Sequence, residues 1–350
     1  MTTTRVLPPE WAPQSAVMLT WPHPGTDWSD ILADVEPVFM EIATAVLARE
    51  HLIISCEHVS RLQDLERDLS AYARDQGLPG RVYAVPAPAN DTWARDHGPL
   101  TVSTGDGPIV LNFRFNAWGG KFPWEKDDAL NQHLHNAGTF GAAPMEAVDH
   151  VLEGGSIESD GAGTLLTTSE CLLTPSRNLS LDRGAIENLL AETLGANRIL
   201  WLNHGYLAGD DTDSHIDTLA RFCAEDHLCY VRCPDVADEH YSALAAMEEE
   251  LQQFRRADGR SYKLTPLPWP DAIYDEDGQR LPATYANFLI INGAVLLPVY
   301  DVPQDREAID VVQRLFPERD IIPVNCRPLI RQHGSLHCVT MQLPAGVLTL

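Results

Sequence analysis

Four short stretches of the chain gather residue types that perform nucleophilic and proton-transfer chemistry. The first is Asn90-Asp91-Thr92-Trp93-Ala94-Arg95-Asp96-His97-Gly98-Pro99. Charged residues interleave there with a tryptophan and close on a Gly-Pro turn, which would aim side chains at one point. The second, Leu152-Glu153-Gly154-Gly155-Ser156-Ile157-Glu158, sets a glutamate before paired glycines that let backbone approach a ligand closely. The third, Gly209 to Phe222, holds His215 and Asp217 two residues apart, on the same face if the segment is a strand. A histidine beside a carboxylate is a proton-transfer unit. The fourth runs from Asn325-Cys326-Arg327 to His333-Gly334-Ser335-Leu336-His337-Cys338-Val339-Thr340. Cys338 follows a Gly-Ser turn there, but a free thiol of pKa near 8.5 is only about 3% thiolate at pH 7. A neighbouring positive charge would be needed to make it a nucleophile.

Each stretch alone admits a plainer reading. Arg95 and Asp96 suit a surface ion pair, Glu-Gly-Gly an ordinary turn, and Cys338 a small buried residue on a strand from Leu336 to Leu343. A metal site built from His215 and the aspartates stays open, although no second histidine stands nearby at a hydrolytic metal spacing. Cys223, Cys229 and Cys233 match no common zinc pattern and fit a strand from His227 to Arg232.

Taken together, Cys338, His215, Asp96, Glu153 and Asp217 make an odd set for a protease, because so many carboxylates would oppose an oxyanion. They suit a cationic electrophile. Carboxylates bind a planar guanidinium in bidentate fashion, and two could clamp it with its central carbon facing a thiolate. The substrate's charge would also favour the thiolate. No phosphate-cradling loop or dinucleotide fingerprint is present.

The elements that must position these residues follow a rhythm of helix and then short strand. Helices are predicted near Pro37 to Ala48, Arg61 to Ala73, Arg183 to Leu194, Tyr241 to Phe254 and Arg306 to Leu315. Strands should follow at Leu52 to Ser55, Val82 to Pro86, Ile199 to Asn203, Leu264 to Pro268 and Ile321 to Asn325. Alternating runs at Ile109 to Phe115 and Phe288 to Val299 add strands, and the pattern is that of an α/β fold. The patches Gly138 to Pro144 and Asp271 to Gln279 read as loops inside one domain spanning 1–350.

Composition narrows the partners. Twenty-five Lys and Arg against 50 Asp and Glu give a formal charge of −25, which opposes binding to nucleic acid or to anionic membrane surfaces. No apolar run approaches the roughly 20 residues of a membrane helix. The odd count of 7 scattered cysteines and a start without an apolar signal region point to reduced thiols in a cytoplasm.

The four motifs, with Asn116-Ala117-Trp118-Gly119-Gly120-Lys121 and Gly163-Thr164-Leu165-Leu166-Thr167-Thr168, resemble the agmatine deiminase and bacterial peptidylarginine deiminase family from Trp11 to Gln342. The resemblance implies a pentein fold, a five-bladed α/β-propeller with pseudo-fivefold symmetry and a central site. It implies that Cys338 attacks the guanidinium carbon to form a thiouronium intermediate and that His215 serves as acid and then as base. Asp96 and Asp217 would hold the guanidinium nitrogens, and Glu153 would pair with His215. No metal or organic cofactor is implied, and a homodimer is. Agmatine hydrolysis to N-carbamoylputrescine and ammonia is the favoured activity, with peptidylarginine or another guanidino compound as the alternative substrate. For the distal amine of agmatine, Asp211, Asp210, Trp93 and Trp118 are the proposed contacts, with Gly334 beside them. Departures from the family pattern are His333 ahead of Gly334, Ser214 ahead of His215, and the segment Pro175-Ser176-Arg177-Asn178.

Overall fold

A computed structural model describes residues 4–348. Its unit is an antiparallel strand pair, a crossing helix, and a third strand parallel to the second. Leu100–Thr104 and Gly107–Arg114 form one pair, helix Glu125–Asn136 crosses, and Met145–Val151 returns parallel. Ile157–Ser159 and Thr164–Thr168, helix Arg183–Leu194 and Arg198–Leu202 repeat it. So do Ala220–Ala224 and His227–Val231 with helix Tyr241–Gln253 and Lys263–Leu267. Leu289–Ile291 and Ala294–Val299, helix Asp305–Leu315 and Asp320–Asn325 make the fourth.

The fifth unit joins the two ends of the chain. Thr340–Pro344 pairs antiparallel with Gln14–Thr20, helix Leu32–Leu47 crosses, and His51–Cys56 returns parallel. A further helix, Val59–Asp75, adds Val82–Pro86 to that sheet. Five separate sheets result, in agreement with the five-bladed expectation.

Local chemistry explains the elements. Helix Asp305–Leu315 buries Ala308, Val311 and Val312 and turns its charges outward. Helix Arg183–Leu194 starts where the Asp182 side chain accepts from the Ala185 N–H, and stops at Gly195 with φ of 72°. Strands Leu289–Ile291 and Ala294–Val299 are buried along nearly their whole length. The expected strand from Phe288 to Val299 is in fact this hairpin.

Two other expectations change. His215 and Asp217 do not lie on a strand: Ile216–Thr218 is a single 3-10 turn with His215 at its N-cap. The strand after Cys338 begins only at Thr340, and residues 337–339 form a turn. Both turns stand where the chain enters a sheet, a position in which a short polar loop can bend side chains toward the centre of the ring.

Candidate active site

Every unit contributes from the same place, the turn just before its first strand. Asp96 lies in the turn Ala94–His97 before Leu100, and Glu153 caps the turn Gly154–Ser156 before Ile157. His215 and Asp217 precede Ala220, and Cys338 precedes Thr340. The remaining unit, which the sequence reading left without a site residue, contributes Asn287 ahead of Leu289. Its Oδ1 accepts from the His337 N–H at 2.9 Å and from the Cys338 N–H and thiol at 3.4 Å each.

The convergence is tight. A β-carbon placed on Gly155 would sit 2.7 Å from His215 Nδ1, 2.8 Å from Asp96 Oδ1 and 3.2 Å from Asp217 Oδ2. Glycine is thus required between three functional side chains. Gly334 meets a similar demand against Trp93, whose ring would lie 2.0 Å from an added β-carbon. Asp96, His215, Cys338, Trp93, Trp118 and Gly334 all line one cavity of about 160 Å³, together with Asp210 and Asp211. Glu153 and Asp217 are fully buried and do not line that cavity.

Hydrogen bonds fix each group. Asp96 accepts from the Gly155 N–H and from Trp118 Nε1, both at 3.0 Å, and its Oδ1 lies 3.6 Å from His215 Nδ1. Trp118 therefore orients a carboxylate as well as forming cavity wall. Asp217 Oδ2 receives His337 Nδ1 at 2.7 Å, while its Oδ1 is buried with no hydrogen-bond partner among the described residues. Glu153 does not bond His215. Its Oε1 accepts from Arg177 Nε at 2.8 Å, and Glu153 Oε2 and His215 Nε2 both stay unpartnered. Donor atoms of Glu153, Cys171 and His215 lie within 4.8 Å of one another. Asp210 is also held by its own loop: Oδ1 accepts from the Thr212 N–H and hydroxyl, and Oδ2 from the Ser214 N–H.

Burial decides the protonation states. It pushes the Cys338 thiol well above its ordinary range, and Asp217 and Asp96 push the same way. The sulfur donates to Asn287 Oδ1, a bond that only the protonated thiol makes. For His215, burial alone would lower the pKa, but Asp96, Cys171 and Glu153 overcome it and hold the imidazole well above its ordinary value. Burial, helped by Asp217 and Glu153 and opposed by His215, raises Asp96 to about 6. Asp217 is lowered: burial acts against it, and the hydrogen bond and charge of His337 prevail. The site thus pairs a neutral thiol with a cationic imidazole, an arrangement in which an incoming guanidinium is the missing counter-charge for the carboxylates.

The sequence pattern of the Porphyromonas-type peptidyl-arginine deiminase family matches residues 6–344. The chain belongs to this family. An agmatine deiminase of Stutzerimonas stutzeri is 33% identical over 97% of this chain and 95% of its own length. A substrate-bound agmatine deiminase of C. jejuni is 35% identical with a TM-score of 0.89, covering 98% of this chain and 97% of that one. A Porphyromonas gingivalis protein with a provisional arginine deiminase name is 51% identical with a TM-score of 0.89, covering 98% and 99%. The five sheets are accordingly the blades of a pentein-type α/β fold, and the deiminase is a hydrolase of guanidino C–N bonds.

Several residues around the site escaped the sequence reading. Arg177 lay in a segment noted only as a variant, yet its guanidinium, with no exposed side-chain surface, contacts Glu153, the Trp118 carbonyl, the Thr212 carbonyl and Asp213. Asn287, Cys171 and Glu10 carry no local spacing signal. His337 was visible only as the neighbour of Cys338.

Proposed function

We propose that this deiminase hydrolyses agmatine to N-carbamoylputrescine and ammonia and serves polyamine synthesis. The observation that carries the reading is the meeting of Asp96, His215 and Asp217 around Gly155, with Cys338 on the wall of the adjoining cavity. Asp96 and Asp217 take the guanidinium nitrogens, Asp217 through its unpartnered Oδ1. Cys338 gives its proton to solvent as the cation binds, and the thiolate attacks the guanidinium carbon. His215 gives a proton to one nitrogen, the C–N bond breaks, and ammonia leaves an amidino group on sulfur. The same imidazole then takes a proton from water, the hydroxide adds to carbon, and the C–S bond breaks as the adduct's hydroxyl proton passes to the departing sulfur, which releases the ureido product and the neutral thiol. Glu153 balances the cationic imidazole from behind.

The cavity's chemistry supports an amine at the far end of the substrate. Its acidic lining residues include Asp27 and Asp211 with the rings of Trp93, Trp118 and Phe122, and no Lys or Arg lines it among the described residues. A distal ammonium meets attraction there, whereas the α-carboxylate of free arginine meets like charge. The 51% identity to the P. gingivalis protein favours arginine as the second reading. No helix among the described residues is long and apolar enough to cross a membrane, and the charge of −25 opposes nucleic-acid binding. We propose a cytoplasmic homodimer without either partner.

Mass spectrometry of acid-quenched protein incubated with agmatine tests this reading. An amidino adduct on Cys338 is expected, and full turnover by Cys338→Ser would overturn the mechanism. Comparison of kcat/KM on agmatine, arginine and a blocked arginine peptide separates the substrates.

A further inference from the structure

Beneath the catalytic cavity a buried polar chain runs from the nucleophile's neighbour to a residue near the start of the described chain. His337 lies 2.7 Å through Nδ1 from Asp217 Oδ2, and 2.7 Å through Nε2 from Glu10 Oε2, a residue 327 positions away. Both ring nitrogens face a carboxylate oxygen at short distance, and Nε2 also lies 3.2 Å from Arg221 Nη2. Glu10 is itself over-determined. Its Oε2 also accepts from Arg221 Nη2 at 2.7 Å, and its Oε1 from the Ile290 N–H at 2.6 Å. Arg221 in turn pairs with Glu158. Buried Arg95 completes the set, with its Nη2 unpartnered among the described residues. Three carboxylates, Glu10, Glu158 and Asp217, thus surround Arg221 and His337, with Arg95 beside them.

We propose that Glu10 is a positioning residue for deimination: through His337 it fixes the Asp217 carboxylate that meets the guanidinium. The inference rests on the reading of Asp217 as a guanidinium contact. Its physical content is specific. Asp217 keeps Oδ1 free because Oδ2 is occupied, and Oδ2 stays occupied by a ring that Glu10 holds from the other side. Without Glu10 Oε2 the ring loses its carboxylate partner at Nε2, and the imidazole becomes free to rotate or to bond Asp217 less strongly.

Glu10→Gln removes the charge and keeps one acceptor: the amide oxygen can accept from the Ile290 N–H, and the amide NH2 then stands where Oε2 met Arg221 and His337. In a Cys338→Ser background, which binds without turnover, agmatine affinity measured by calorimetry should fall about tenfold or more in Glu10→Gln. Arg221 keeps Glu158 as a partner, so the variant should fold with a lowered thermal midpoint, and affinities are compared below both midpoints. Long-range proton–nitrogen spectra of histidine-labelled wild type, with the ring identified by its loss in His337→Asn, should show both nitrogens of His337 protonated. A neutral His337 in the wild type overturns the proposal without any Glu10 variant being needed. Unchanged agmatine affinity in a folded Glu10→Gln protein overturns it too. If Cys338→Ser fails to bind agmatine at all, the substrate assignment fails, and the ring spectra still decide the role of Glu10.

Discussion

Gly155→Ala is the most exacting perturbation of this site, because the added methyl enters the space between its catalytic groups. Gly155 has a backbone conformation open to alanine, since it is absent from the positive-φ residues, so strain arises only from the neighbours. The new carbon would meet His215 Nδ1 at 2.7 Å and Asp96 Oδ1 at 2.8 Å, where ordinary contact begins near 3.4 Å. Each group must therefore retreat by about 0.7 Å. Neither retreats freely, because Asp96 is held by Trp118 Nε1 and by the N–H of Gly155 itself. A misplacement of about 1 Å costs on the order of 100-fold in rate. The loss in kcat/KM should accordingly be about 30- to 100-fold, or about 2–3 kcal/mol of transition-state stabilisation. Overpacking should cost about 1–3 kcal/mol of stability. Ammonia release from agmatine, measured beside thermal unfolding, checks both. A folded variant with kcat/KM within threefold of wild type would refute the claim that these side chains work as a set around Gly155.

Other outcomes follow from the same geometry. Alkylation of Cys338 by iodoacetamide without substrate should rise only at alkaline pH, and Asp96→Asn, which removes a negative charge that disfavours the thiolate, should move the midpoint down. An upward shift would reverse the assigned cause. Arg177→Met should cost about 3–5 kcal/mol of stability by leaving the Glu153 carboxylate buried and unpaired; denaturant unfolding with little change would mean that Glu153 finds another partner. Asp127 has its pKa raised to about 8, chiefly by burial, from a usual 3.8. The stability of the protonated folded form is complete below pH 3.8 and is lost as pH rises through about 8. Asp127→Asn keeps an oxygen for the N–H groups of Asn90 and Asp91, so its advantage over wild type in melting temperature should grow from pH 5 to pH 9. A constant difference across that range would contradict the buried, protonated carboxyl.

The sequence is informative where structure depends on near neighbours. Helix Arg183–Leu194 and strand Val82–Pro86 fall where predicted, because an Asp cap, a following glycine and a proline stop are local signals. The motif residues Asp96, His215 and Cys338 were legible because each stands in a turn dense with Gly, Asp and Ser. What stayed hidden depends on contacts across the ring. The bond from His337 to Glu10 spans 327 positions and that from Arg177 to Glu153 spans 24, and neither has a spacing that could announce it. The His-x-Asp alternation at His215 and Asp217 fits a strand or a turn, and entry into the sheet at Ala220 forces the turn. The loop N–H groups that hold Asp210 carry no sequence signal either.

The pairing of Thr340–Pro344 with Gln14–Thr20 has a bearing on biogenesis. During synthesis Cys338 follows Asp96, Glu153, His215 and Asp217 and comes just ahead of the strand that completes the fifth sheet, so the other groups of the proposed site are made before its thiol. A nascent chain can assemble most of its blades while remaining chemically silent. Translation products that stop before Cys338 lack the thiol altogether, so incomplete chains of this kind would not circulate as partly active enzyme.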